Sequence, residues 1–95
     1  MTRENVIKMI RNHRAVLDTY SVKRLALFGS CARGEERPQS DLDFLVEFHQ
    51  KSFDAYMGLK LFLEDLFQCR VDLVLADTLK PRLRQHILKE MLDAA

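Results

Sequence analysis

Asp41 and Asp43 flank a single leucine, and a third aspartate, Asp72, interrupts the apolar run Val71 to Leu75. Ahead of them, Gly29 and Ser30 close another apolar run, Leu25 to Phe28. Residues two apart on a strand project from one face about 7 Å apart. Asp41 and Asp43 would then share a surface, with Leu42, Phe44 and Val46 pointing into the opposite layer. Like charges that close raise each other's pKa unless a cation compensates, and paired carboxylate oxygens suit magnesium or manganese. Asp72 asks for a cation too, because an ionised side chain among apolar neighbours is costly unless paired or metal-bound. A glycine at a strand-to-helix turn lets backbone approach an anion, and the amides that open a helix carry partial positive charge toward it. Ser30 can donate to a phosphate oxygen, with Arg33 one turn further on. The chemistry on offer is a divalent cation held beside a polyphosphate.

Each piece has an ordinary alternative. Asp-Leu-Asp alone also fits the polar face of a half-exposed strand, Gly-Ser alone fits a serine-capped turn, and Asp72 could pair with Arg70 or Lys23. The argument lies in all three occurring in order. Two other phosphate and metal motifs fail. An EF-hand would put a ligand at Leu45 and its glycine at Val46. Gly29 and Gly34 have P-loop spacing, but Glu35 and Glu36 stand where a P-loop carries lysine and a hydroxyl, and acid there repels phosphate.

The elements that must position these residues follow from periodicity. Val6, Ile7, Ile10, Leu17 and Tyr20 recur at helical spacing, with Thr2 as N-cap and Glu4 in the first turn. Lys23 and Arg24 lead into Leu25 to Phe28, a strand buried on both faces. Ser30 to Arg33 opens a short helix with Ser30 as its cap, and the polar segment from Gly34 to Ser40 is a loop. Leu42 to Phe48 is a second strand. Leu59, Phe62, Leu63 and Leu66 mark a helix over Phe53 to Phe67, in which Gly58 is a weakness of about 1 kcal/mol relative to alanine. Val71 to Leu75 is a third strand, and Pro81 opens a last amphipathic helix carrying Leu83, Ile87 and Met91. The order α, β, short α, β, α, β, α describes an α+β domain with a mixed β-sheet packed with helices, the relative direction of the first two strands being open.

Ninety-five residues at 47% apolar and 31% charged fit one globular domain, with no apolar run near the ~18 residues of a membrane span. A net charge of +1 gives no general attraction to nucleic acid. The N-terminal residues carry no signal-peptide pattern, so the cytoplasm is the expected location. Cys31 and Cys69 are far apart and without zinc-ligand spacing, so reduced thiols are expected, Cys31 packing or exposed near the turn. His13, His49 and His86 are scattered. Tyr20 and Tyr56 read as core or interface residues, and the basic flank Lys80, Arg82, Arg84 and Lys89 as a solvated helix face.

Gly29-Ser30-Cys31-Ala32-Arg33-Gly34, Ser40-Asp41-Leu42-Asp43-Phe44-Leu45-Val46 and Val71-Asp72-Leu73-Val74 together resemble the signature of the minimal nucleotidyltransferases of the DNA polymerase beta-like superfamily. The resemblance spans nearly all of residues 1–95 and implies that family's fold in a single minimal domain. It also implies roles: Gly29 and Ser30, with Arg33 and Ser40 beside them, for the triphosphate; Asp41 and Asp43 for two magnesium ions, which manganese can replace; and Asp72 joining the metal nearest the attacking hydroxyl. Small members resemble the antitoxin half of toxin–antitoxin pairs whose other half is a helical HEPN-family ribonuclease. The implied activity is adenylyl transfer from ATP to a tyrosine hydroxyl of such a partner. Two other functions stay open on the residues alone: a non-catalytic antitoxin that neutralises its partner by binding, and a transferase acting on a small molecule or an RNA end.

Overall fold

Strict alternation in Leu42–Phe48 sends Leu42, Phe44 and Val46 to one side of a sheet and Asp43 and Leu45 to the other. The computed structural model, which describes residues 2–35 and 41–95, shows this segment inside a four-stranded mixed sheet. The strands are β1 (Val22–Phe28), β2 (Leu42–Phe48), β3 (Val71–Leu75) and β4 (Leu92–Asp93), in the order β3-β2-β1-β4. β1 and β2 are antiparallel with Leu27 opposite Phe44 and Phe28 opposite Asp43. β2 and β3 are parallel with Asp43 opposite Asp72 and Leu45 opposite Val74. β1 extends further back than its apolar run suggested, because Val22 is buried and continues the pattern across exposed Lys23.

One face of the sheet packs against three helices, α1 (Arg3–Asn12), α2 (Arg14–Thr19) and α4 (Phe53–Phe67), while the short α3 (Gly29–Ala32) lies between β1 and β2. Val6, Ile10, Leu17, Leu59, Leu63 and Phe67 from these helices meet Leu25, Leu27, Phe44, Val46, Val71 and Leu73 from the strands in one buried core. Thr2 caps α1, its side chain accepting from the Asn5 N–H at 3.1 Å. The expected single first helix is broken at His13, whose backbone leaves helical geometry. Its Nδ1 lies 2.7 Å from the Met9 carbonyl oxygen and its ring packs edge-on against Phe62, so the break brings a polar ring against the core with a hydrogen-bond partner.

The other sheet face is covered more thinly. Ala26, Leu45 and Ala76 form a small cluster there with Phe28, Val74, Leu79, Ile87 and Met91 around it. A 3₁₀ turn (Ala76–Thr78) and α5 (Pro81–Glu90) supply the cover. Leu83 does not join Ile87 and Met91 in a buried stripe as its spacing suggested: it is 55% exposed. Among the described residues the apolar part of this face is that small cluster, and β2 and β3 present Asp43 and Asp72 on the same side. The chain then returns as β4 beside β1, with Ala26 opposite Asp93, a strand too short to announce itself in sequence.

β3 is an edge strand, and α4 dresses its open side. Tyr56 Oη donates to the Leu73 carbonyl at 2.7 Å, and the Val71 N–H donates to Glu64 Oε2 at 3.2 Å. These bonds use up edge groups that otherwise invite pairing with another strand, and they bracket Asp72. Gly58 also acquires a reason. A Cβ there would meet Tyr20 Cε1 at 2.5 Å and Cδ1 at 3.0 Å, so the glycine makes room for a ring packed on the core. Glycine serving only as a weak helix former would let Gly58→Ala stabilise by about 1 kcal/mol. The contact with Tyr20 predicts a loss of about 1–3 kcal/mol instead, read as a lower urea midpoint, and a gain once Tyr20→Ala has removed the ring.

Candidate active site

β1 ends in an extended Phe28, and Gly29 turns the chain at φ +78°, the left-handed region that favours glycine. Space imposes the same choice. A Cβ on Gly29 would run into the Asp43 carboxylate, with Cγ at 3.0 Å and Cβ at 3.3 Å. The turn and the metal-type acid are therefore in contact, a consequence of Phe28 lying opposite Asp43. The helix begins at Gly29, one residue earlier than expected, because the Gly29 carbonyl already accepts from the Arg33 N–H at 3.2 Å. Ser30 is thus the second residue of α3 rather than its cap; the N-cap position is Phe28 and no side chain bonds there. Cys31 and Ala32 are buried beneath the turn, the first of the alternatives for that thiol. Arg3 Nη1 donates to the Ala32 carbonyl at 2.9 Å, tying α1 to the far end of α3.

Asp43 and Asp72 stand opposite each other on neighbouring parallel strands, so their side chains leave the same face. Neither Arg70 nor Lys23 forms an ion pair with Asp72 among the described residues. Burial first, then the Asp72 charge, a hydrogen bond with the Asp72 carboxyl and the Asp41 charge push the Asp43 carboxyl up to about 6, with Arg33 opposing. Asp41, exposed immediately before β2, is close enough to act on Asp43. No group of three His, Cys, Asp or Glu reaches metal-holding spacing among the described residues. The pair nevertheless fits a divalent cation: two hard oxygen donors converge, and their mutual repulsion is what a cation relieves. The structure brings together Gly29, Asp43 and Asp72, with Asp41 at the margin. Ser40 lies outside the described residues.

Arg33 caps the end of α3, yet its guanidinium is engaged. Nη1 donates to Glu90 Oε2 at 3.0 Å and Nη2 to Glu35 Oε2 at 3.3 Å, and these acids, Glu90 before Glu35, hold its pKa above the ordinary arginine value. Glu90 also accepts from the Gly29 N–H at 3.3 Å. Sequence reasoning missed both Glu90 and Arg3. They reach the turn from 61 and 29 positions away, and neither sits in a motif. Cys69 is half-buried; burial, chiefly, raises its thiol pKa.

The Asp43 shift runs opposite to that of an ordinary paired aspartate. Its folded-state pKa of about 6 exceeds the ordinary 3.8, so the group favours folding below the lower value and loses that contribution as pH rises through the higher one. In metal-free buffer at pH 7.5, Asp43→Asn should therefore melt above wild type, by on the order of 4–8 °C per kcal/mol of relieved charge burial and repulsion. The gap should close toward pH 4 and on adding magnesium. A gap that is constant across pH would place the repulsion elsewhere.

Residues 10–94 match the family described as Nucleotidyltransferase domain. The protein adenylyltransferase MntA of Thermococcus cleftensis is 33% identical over 93 residues, covering 96% of this chain and 94% of the relative. A solved structure named provisionally as a minimal nucleotidyltransferase is 38% identical, with a TM-score of 0.82 over 97% of this chain and 95% of its own. The same fold, at 19% identity and a TM-score of 0.65, covers 94% of this chain and 71% of a chain in a complex of tri-AMPylated Shewanella oneidensis HEPN toxin with MNT antitoxin. The contact between the Gly29 turn and a strand acid thus sits in a recognised framework, and the chain belongs to the Nucleotidyltransferase domain family.

Proposed function

We propose that residues 1–95 act as one minimal domain that transfers an adenylyl group from ATP to a tyrosine hydroxyl of a HEPN-family partner protein, as the antitoxin of that pair. The observation that carries the chemistry is the in-register pair Asp43 and Asp72 beside the Gly29 turn. The acceptor and partner rest on the protein adenylyltransferase relative and on the HEPN–MNT complex with the same fold.

In this reading Asp41, Asp43 and Asp72 would hold magnesium, which would neutralise phosphate charge and make the acceptor hydroxyl more acidic. The rest is the work of the chain. Gly29 lets the backbone lie against the triphosphate, and Ser30 and Arg33 donate to its oxygens, with Ser40 assigned beside them from the sequence signature. Asp72, more exposed than Asp43, orients the acceptor hydroxyl and accepts its hydrogen bond. The acceptor oxygen then bonds to the α-phosphorus as the bond to the β-phosphate oxygen breaks in line. Pyrophosphate leaves, and the hydroxyl proton passes by way of Asp72 to solvent. The protein substrate docks as a separate chain over the exposed acids. No described helix is long and apolar enough to cross a membrane, in keeping with a cytoplasmic pair.

Co-purification from the native host identifies the partner, and incubation of both with labelled ATP and magnesium reads the transfer. Asp41→Asn, Asp43→Asn and Asp72→Asn should each reduce labelling by about 10²-fold or more, with an unchanged circular dichroism spectrum. Full labelling by any folded variant would remove that residue from the metal set. Labelling without a protein partner would redirect the acceptor to a small molecule or RNA.

A further inference from the structure

Glu90, the last residue of α5, lies on two of the donors that the proposed triphosphate site would use. One carboxylate oxygen accepts from the Gly29 N–H at 3.3 Å and the other from Arg33 Nη1 at 3.0 Å. The Glu90 side chain is 19% exposed against 44% for Arg33, so the acid is the more enclosed partner. It meets Gly29 at a different atom from the metal-type cluster. Asp43 fills the space a Cβ on Gly29 would take, while Glu90 is held at the Gly29 nitrogen. The Gly29 N–H and Arg33 thus already hold an anion, and that anion belongs to the protein.

We propose that Glu90 is an internal stand-in for the nucleotide's phosphates, closing the Gly29 turn onto Arg33 in the free protein and leaving when a triphosphate arrives. The inference rests on the reading of Gly29 and Arg33 as phosphate-binding. A carboxylate on an arginine and a backbone N–H is a charge-assisted contact that incoming phosphate must break, and its charge repels phosphate until it moves. Apparent nucleotide affinity is then the intrinsic affinity reduced by the fraction of molecules in which Glu90 is released. Glu90 also connects the site to α5, which has no fully buried residue, so its release costs the core little.

Equilibrium binding of ATP, inorganic tripolyphosphate and adenosine, each at fixed magnesium, tests this on the full chain as wild type, Glu90→Gln and Glu90→Asp. Glu90→Gln should bind ATP and tripolyphosphate about tenfold more tightly, by the same factor for both, with adenosine unaffected. Glu90→Asp, which keeps the charge but is too short to span both donors, should fall between and keeps the test available if the glutamine variant misfolds. Unchanged or weaker binding by folded variants overturns the proposal and makes Glu90 a support for Arg33 instead. Wild type that binds ATP and tripolyphosphate with no gain in the variants defeats only the role of Glu90. Wild type that binds neither ligand defeats the phosphate-site reading and this proposal together.

Discussion

The contact between the Gly29 turn and the Asp43 carboxylate fixes the arrangement of everything near it. Any side chain at position 29 would collide with Asp43, so the chain must turn there as glycine turns, at a positive φ. That turn directs α3 and Arg33, while the antiparallel pairing that places Phe28 opposite Asp43 sets the contact itself. Asp43 is held at the meeting of three constraints: burial, a neighbouring acid on β3 and the close backbone. Its raised pKa is the electrostatic record of that crowding, and it makes the site less comfortable in the protein alone than with a cation. Stability given up at a site in this way is a common accompaniment of function.

A two-sided sheet divides the work. The face beneath α1, α2 and α4 carries nearly all the buried apolar side chains and so can hold the strands rigidly in register. Among the described residues the opposite face carries a small cluster under α5, beside which Asp72 is exposed and Asp43 half-buried. β3 would be the weak point of this scheme, as an edge strand bearing a site residue. Tyr56 and Glu64 answer it by bonding to the β3 backbone on either side of Asp72. A polar tie from a well-packed helix thus serves the register of the acid pair as well as protecting the edge.

Charge at the turn is balanced inside the chain. Arg33 is shared between Glu35 and Glu90, and Arg3 braces the end of α3 through the Ala32 carbonyl. The short helix is anchored by buried Cys31 and Ala32 in the main core, and these polar ties add to that hold. They also bring Glu90 and Arg33 together at the Gly29 turn.

Much of this was written in local pattern. The strand period put Asp43 on the face opposite Leu42, Phe44 and Val46, a short apolar run marked β3 around Asp72, and helical spacing gave α4 with its observed bounds, because these patterns are set by residues that are neighbours in sequence. Other features were not legible. The break at His13 brings a ring against Phe62, Gly58 makes sense only beside Tyr20, and Leu83 stays exposed while Ile87 and Met91 pack on the small cluster. Sequence by itself determined the order of a glycine–serine turn and the strand acids Asp43 and Asp72, since side-chain chemistry and strand period are local properties. Tertiary structure alone decided that Asp43 meets Asp72, that Gly29 has no room for a side chain, and that Glu90 closes on Arg33, because strand register and helix docking join residues whose separation in the chain carries no signal of their contact.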